Sequence, residues 1–188
     1  MNIDLLNLLY GGDIGKHLST LYFLADSIKA KTIVELGVQN GNSTLFLHEI
    51  VKKYDGYLYS FDIEHTVFTS SFNSPFWKFT LQDDLDAGSF WNKSIDFLFV
   101  DSNDTDYHTR EVLRLWAPWI RLGGIIAFHD VYCDIKDQES YNFMPAIKDF
   151  LNCRLDFRSW LFKTAKGLCV LVRGNYLESC NEEYGVVI

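Results

Sequence analysis

Five short apolar runs in this chain each close on acidic residues. The closing positions are 35–37, 62–64, 82–84, 101–103 and 129–130. They bring Glu35, Asp62, Asp83 with Asp84, Asp101, and His129 with Asp130. Carboxylates at such places can accept from hydroxyls and amines, hold hard cations or take a proton. One acid at the end of a run is ordinary, because Asp also belongs in turns and at helix N-caps. Five in register are harder to dismiss. The first stands in "TIVELGVQNGNST" (32–44), where an apolar run breaks into glycine, amide and hydroxyl residues. Gly37 and Gly41 make the pattern E-x-G-x-x-x-G-x-S. Gln39 stands two after Gly37, so the dinucleotide fingerprint G-x-G-x-x-G fails. "GNST" has Asn42 where a Walker loop needs lysine. An acid before the first glycine also repels phosphate, and suits a cationic group or an amine.

Strands and helices in alternation must position these ends. "KTIVEL" (31–36), "GYLYSFDI" (56–63), "WKFTLQ" (77–82), "IDFLFVD" (95–101) and "IIAFHD" (125–130) read as strands. The near-continuous apolar run 95–101 is expected of a central strand buried on both faces. A helix is expected over 43–54 with Ser43 as N-cap. Another should follow "DTDY", with Val112, Leu113, Leu115, Trp116 and Trp119 at helical spacing. "LGG" should turn the chain before the fifth strand. The stretch before Trp77, with Pro75, reads as a loop or weak helix, and "SYNFMPAIKDFL" as a helix. "LDFRSWLF" and "GLCVLVRG", joined by "KTAKG", read as an antiparallel hairpin. The result is an α/β fold, a mostly parallel sheet covered on both faces and doubly wound. In such sheets ligands bind beyond the carboxyl ends of the strands, near the switch point.

The 188 residues suit one domain, with an N-terminal helical segment (1–30), a ligand-binding core (31–174) and a tail (175–188). A formal charge of −8, with no basic stripe, argues against nucleic acid. No run approaches the length of a membrane span and no signal peptide is visible, so a cytoplasmic location is expected. The four cysteines, Cys133, Cys153, Cys169 and Cys180, form neither a CxxC pair nor a zinc pattern, and free thiols are expected. Trp77, Trp91, Trp116, Trp119 and Trp160 read as core. His17, His48 and His65 read as surface or helix residues. The segment around 132–145 is one of few that could cover an acceptor. A homo-oligomer is left open.

"VELGVQNGNST" resembles motif I of the class I S-adenosylmethionine-dependent methyltransferases. It is most similar to the branch of small-molecule and sugar O-methyltransferases and cephalosporin-hydroxylase-like proteins. "YSFDIE", "IDFLFVDSNDTDYHTREVLRLWAPWIRLGGIIAFHDVY" and "GLCVLVR" extend the resemblance over residues 32–173. It implies a Rossmann-like doubly wound seven-stranded sheet, mostly parallel with an antiparallel C-terminal hairpin. It also implies S-adenosylmethionine as cofactor. Glu35 would face the methionine amino group. Gly37 and Gly41 would let the backbone approach the ligand, with Ser43 in the same loop. Asp62 would accept from the ribose hydroxyls, and Asp83 or Asp84 from the adenine amine. In metal-dependent relatives carboxylates and an amide at equivalent strand ends hold Mg²⁺. Asp101, His129 and Asp130 are the candidates here, for Mg²⁺ or, given the histidine, a softer ion such as Mn²⁺.

Methyl transfer to an alcohol requires that the acceptor be positioned and deprotonated. His129 is the first candidate base, with Asp101 and His108 as further catalytic candidates. Relatives also carry a histidine where this chain has Asp104. The expected activity is O-methylation of a small hydroxylated molecule, a sugar or natural-product intermediate. Two alternatives remain at this stage: a cofactor-binding or interaction module without transferase activity, and a nicotinamide-dependent oxidoreductase.

Overall fold

A computed structural model describes residues 13–132 and 143–175. A 3₁₀ turn (Ile14–Lys16) leads into α1 (Leu18–Ser27). Then come β1 (Thr32–Leu36), α2 (Asn42–Tyr54), β2 (Tyr57–Asp62), α3 (Val67–Ser71) and β3 (Trp77–Leu81). The second half holds α4 (Asp84–Phe90), β4 (Ile95–Val100), α5 (Asp106–Trp116), β5 (Ile120–His129), α6 (Met144–Cys153), β6 (Phe157–Phe162) and β7 (Leu168–Arg173).

The seven strands form one sheet in the order β3-β2-β1-β4-β5-β7-β6. The first five pair in parallel, whereas β7 runs antiparallel to both β5 and β6. This is the expected mostly parallel, doubly wound sheet with a C-terminal hairpin. The chain winds outward from β1 to β3, then returns to place β4 on the other side of β1. The switch point therefore lies between β1 and β4.

Alternation along the strands builds two cores. Ile33, Phe97, Phe99 and Leu58 face α1 and α2, meeting Leu21, Leu47 and Ile50. Val34, Leu98, Val100 and Phe128 face α4, α5 and α6, meeting Ala87, Val112, Trp116 and Ile147. The buried residues of α2 recur three and four apart, the spacing that turns one stripe inward. Lys52 and Lys53 in its last turn complement the helix dipole.

Several local expectations are corrected. Ser43 does not cap α2; Gly41, at φ 76°, occupies that place with no side-chain cap, and Ser43 turns inward. The "LGG" turn lies inside β5: Ile120 pairs with Ile95 and Ile125 with Phe97, so residues 121–124 bulge from the ladder. Helix α5 ends at Trp116, where the chain tightens into a 3₁₀ turn at Pro118. Trp160, 52% exposed on the edge strand β6, and Trp119 are not core, whereas Trp77 and Trp116 are. Cys153 and Cys169 are free thiols; Cys133 and Cys180, and the first part of "SYNFMPAIKDFL", lie outside the described residues. Among the described residues, no helix is long and apolar enough to cross a membrane.

Candidate active site

The loop after β1 is held from beneath by Glu35. This carboxylate is fully buried and accepts three hydroxyl hydrogen bonds: Ser43 at 2.7 Å, Thr44 at 2.8 Å and Ser60 at 2.6 Å. Ser60 in turn accepts from the Trp77 indole at 2.9 Å. The network thus ties β1, α2, β2 and β3 together. Burial pushes the Glu35 carboxyl up to about 7, against the pull of its three donors. Gly37 follows, at φ 89°. A Cβ on it would lie 2.1 Å from the Asp101 carbonyl oxygen. Only glycine permits both that conformation and that approach. The end of β4 therefore sits directly against the loop, at the switch point.

Asp62, at the end of β2, also serves the loop. Its Oδ2 accepts from the Val38 and Gln39 amides at 2.8 and 3.1 Å, and its Oδ1 from the Glu64 amide at 3.0 Å. Asp83 is exposed and caps α4, accepting from the Leu85 and Asp86 amides. Its neighbour Asp84 is buried and points elsewhere. Asp84 Oδ1 lies 2.8 Å from His108 Nε2, and Oδ2 accepts from Ser102 at 2.6 Å. Burial opposes charge on His108, but its bond to Asp84 and that acid's charge outweigh this and raise its pKa. His108 therefore belongs to an internal ion pair beneath the loop after β4.

The ends of β4 and β5 bring Asp101, His129 and Asp130 together. His129 is buried; its Nδ1 donates to Asp101 Oδ1 at 3.1 Å. Asp130 Oδ1 lies 3.0 Å from the same nitrogen without forming a hydrogen bond to it. That oxygen and His129 Nε2 are both buried without a hydrogen-bond partner. Burial disfavours protonation of His129, yet the Asp101 bond and the charges of Asp101, Asp130 and Asp104 raise its pKa. Burial raises Asp130 as well, despite the histidine's charge. One ligand atom from each of the three residues lies within 4.8 Å of the others. Two oxygens and an imidazole nitrogen at that spacing, with orphaned buried atoms among them, fit a divalent cation.

Two members of this site were missed in the sequence. Asp104 is half-buried, and burial followed by the charges of Asp130 and Asp101 pushes its carboxyl up to about 7. Its signal was the substitution of acid for histidine in "DSND". His17, expected to be a surface or helix residue, is 1% exposed. Its ring meets that of His129 edge-on at 5.4 Å, and its Nε2 lies 2.8 Å from the Thr164 carbonyl. Nothing in the local sequence marks it. A groove of about 310 Å³, lined by Tyr59, Phe61, Lys78, Trp91 and Lys93 among others, lies between β2, β3 and α4 and includes no residue of this cluster.

The family described as a methyltransferase domain matches residues 34–131, more than half of the chain and all five acid-bearing strand ends. The chain belongs to this family. Solved structures share the architecture. The O-methyltransferase TomG of Streptomyces achromogenes, involved in tomaymycin synthesis and solved with S-adenosylmethionine, superposes with a TM-score of 0.68 at 17% identity, over 86% of this chain and 81% of that one. A Podospora anserina methyltransferase bound to S-adenosylhomocysteine gives 0.64 at 16%, over 85% and 78%. A Bacillus cereus O-methyltransferase, also with S-adenosylhomocysteine, gives 0.60 at 16%, over 84% and 80%. The chain therefore carries a methyltransferase domain, in the fold it shares with these S-adenosylmethionine- and S-adenosylhomocysteine-bound proteins. The nicotinamide reading falls with the family match.

Proposed function

We propose that this methyltransferase acts on a hydroxyl of a small molecule, a sugar or natural-product intermediate, at the ends of β4 and β5. One observation carries the reading. Gly37 of the cofactor loop packs against the backbone of Asp101, whose side chain holds His129. Cofactor loop and acceptor-side cluster therefore share one residue at the switch point.

S-adenosylmethionine supplies the methyl group as an electrophilic carbon on a sulfonium. On this reading Glu35 serves the methionine end through Ser43 and Thr44, since it is enclosed by hydroxyls. Asp62 keeps the ribose role. Asp83 takes the adenine amine, because Asp84 is committed to His108 and Ser102. His129 moves the acceptor proton. With Nδ1–H donated to Asp101, Nε2 carries the free lone pair, and Asp101 stabilises the imidazolium that forms. The acceptor oxygen, deprotonated in this way, would be the nucleophile for the methyl group that the cofactor supplies.

A second reading rests on Asp130 Oδ1, buried with no donor. Asp101, His129 and Asp130 would then hold a divalent ion, Mn²⁺ in preference to Mg²⁺. Such an ion lowers the pKa of a bound hydroxyl.

Titration calorimetry with S-adenosylhomocysteine, paired with methyl transfer to a panel of hydroxylated compounds, tests this. Wild type should bind and turn over, whereas Asp62→Ala should lose binding. His129→Ala should bind normally and lose roughly 10²–10⁴-fold in rate. Binding without transfer to any panel compound would make the domain a cofactor-binding module instead. No binding at all would end the cofactor assignments.

A further inference from the structure

Lys166 comes from the turn between β6 and β7, outside the elements that carry the strand-end acids. Its ammonium lies 3.1 Å from Asp13 Oδ2 and 3.5 Å from Asp130 Oδ2. The turn delivers it in a strained conformation. Gly167 N–H donates to the Thr164 carbonyl at 2.8 Å, closing a β-turn. Both central residues, Ala165 and Lys166, have positive φ, at 47° and 59°. Turns of that kind favour Asn and Gly, so an alanine and a lysine there must be held by their surroundings. The holding contacts are visible. The Lys166 carbonyl accepts from the Tyr132 amide at 2.6 Å, two residues past Asp130. The Thr164 carbonyl is met by His17, whose ring packs on His129. Asp130 itself has a positive φ of 54°. A strained turn and a strained strand end thus face each other across an ion pair.

The charges give this meeting a consequence. Asp101, Asp104 and Asp130 crowd around one imidazole, in a chain of net charge −8. A cation on Asp130 relieves that crowding, and Lys166 is covalently supplied. A divalent ion on Asp101, His129 and Asp130 would use the same carboxylate. Two cations a few ångströms apart on one carboxylate repel.

We propose that Lys166 is a tethered counter-ion of Asp130, steered by Asp13, which competes with a divalent cation for the Asp101–His129–Asp130 site. The inference rests on the metal reading above. Lys166 is a built-in gate on metal loading: the site takes an ion only as fast and as tightly as the ammonium gives way.

Calorimetric titration of the full chain with manganese chloride tests the proposal. The Lys166 side chain is 45% exposed, so its replacement leaves the core intact. Lys166→Met should bind Mn²⁺ tighter by roughly two- to fivefold, the scale of one partly exposed ion pair. Lys166→Gln should do the same, and Lys166→Arg should stay near wild type. Asp13→Asn should weaken binding, because Lys166 then has Asp130 alone. Adding Asp13→Asn to Lys166→Met should change nothing further. Equal Mn²⁺ affinity in wild type, Lys166→Met and Lys166→Gln would overturn the counter-ion while leaving the metal site standing. Absence of Mn²⁺ binding in every variant would overturn both. Binding seen only once Lys166 is removed would support the proposal most directly. If Asp13→Asn weakens binding equally with Lys166 absent, the steering role is wrong.

Discussion

Glu35 is a fully buried carboxyl group with three hydroxyl donors. Folded, it titrates at about 7, against an ordinary value of 4.5. The folded state therefore holds the proton more tightly than the unfolded one. The stability this contributes is fully present below pH 4.5 and is lost as the pH rises through 7. At 1.36 kcal/mol per pH unit, the gap corresponds to about 3 kcal/mol. Thermal melts of the ligand-free protein should show the melting temperature falling between pH 5 and pH 8 by roughly 6–12 °C. Glu35→Gln should flatten that slope. Asp104, also near 7, contributes with the same sign, so Asp104→Asn should flatten it in part. An unchanged slope in Glu35→Gln would show that the group is not ionising inside the fold.

Elements meet in this domain through a few close buried contacts, one polar and one steric, that carry predictions. Asp84, in the first turn of α4, holds His108 of α5 and Ser102 of the loop between β4 and α5. His108→Ala leaves a buried carboxylate without its cation. Breaking such a pair from one side costs about 3–5 kcal/mol, which urea unfolding can measure. A loss below about 1 kcal/mol would mean that water enters and the pair is not structural. The second contact joins β1 to β4. Gly37→Ala drives a methyl into the Asp101 backbone, which cannot rotate away as a side chain could. The strands must part at the switch point. The variant should therefore lose S-adenosylhomocysteine affinity and stability together, in calorimetry and in melts of one preparation. Loss of affinity alone would place the clash in the ligand site and not in the sheet.

The whole molecule is a sheet with five separate acid-bearing strand ends along one edge, the edge proposed above to hold the cofactor and acceptor. Binding across that edge should brace both halves of the winding at once. S-adenosylhomocysteine at a hundred times its Kd should add about 2.7 kcal/mol, or roughly 5–11 °C for a domain of this length. NAD at the same concentration should leave the melting temperature in place, and Asp62→Ala should abolish the shift with S-adenosylhomocysteine. A shift with NAD would contradict the family assignment.

The sequence by itself determined the strands, the mostly parallel winding with its C-terminal hairpin, and the acids at the strand ends. These are local or additive properties: apolar runs, period and turn residues act within a few positions. The failed dinucleotide spacing and the acid before Gly37 likewise read directly from the chain. Only the tertiary structure decided what each acid does. Glu35 meets Ser60 from the next strand, so its carboxylate belongs to the core network. Asp83 and Asp84 are adjacent in sequence, yet one caps a helix in the open and the other is buried against His108. His17 and Lys166 reach the C-terminal end of β5 from distant parts of the chain. No local pattern encodes such meetings. They follow from the crossover that sets β4 beside β1, and from the hairpin that folds its turn back over Asp130.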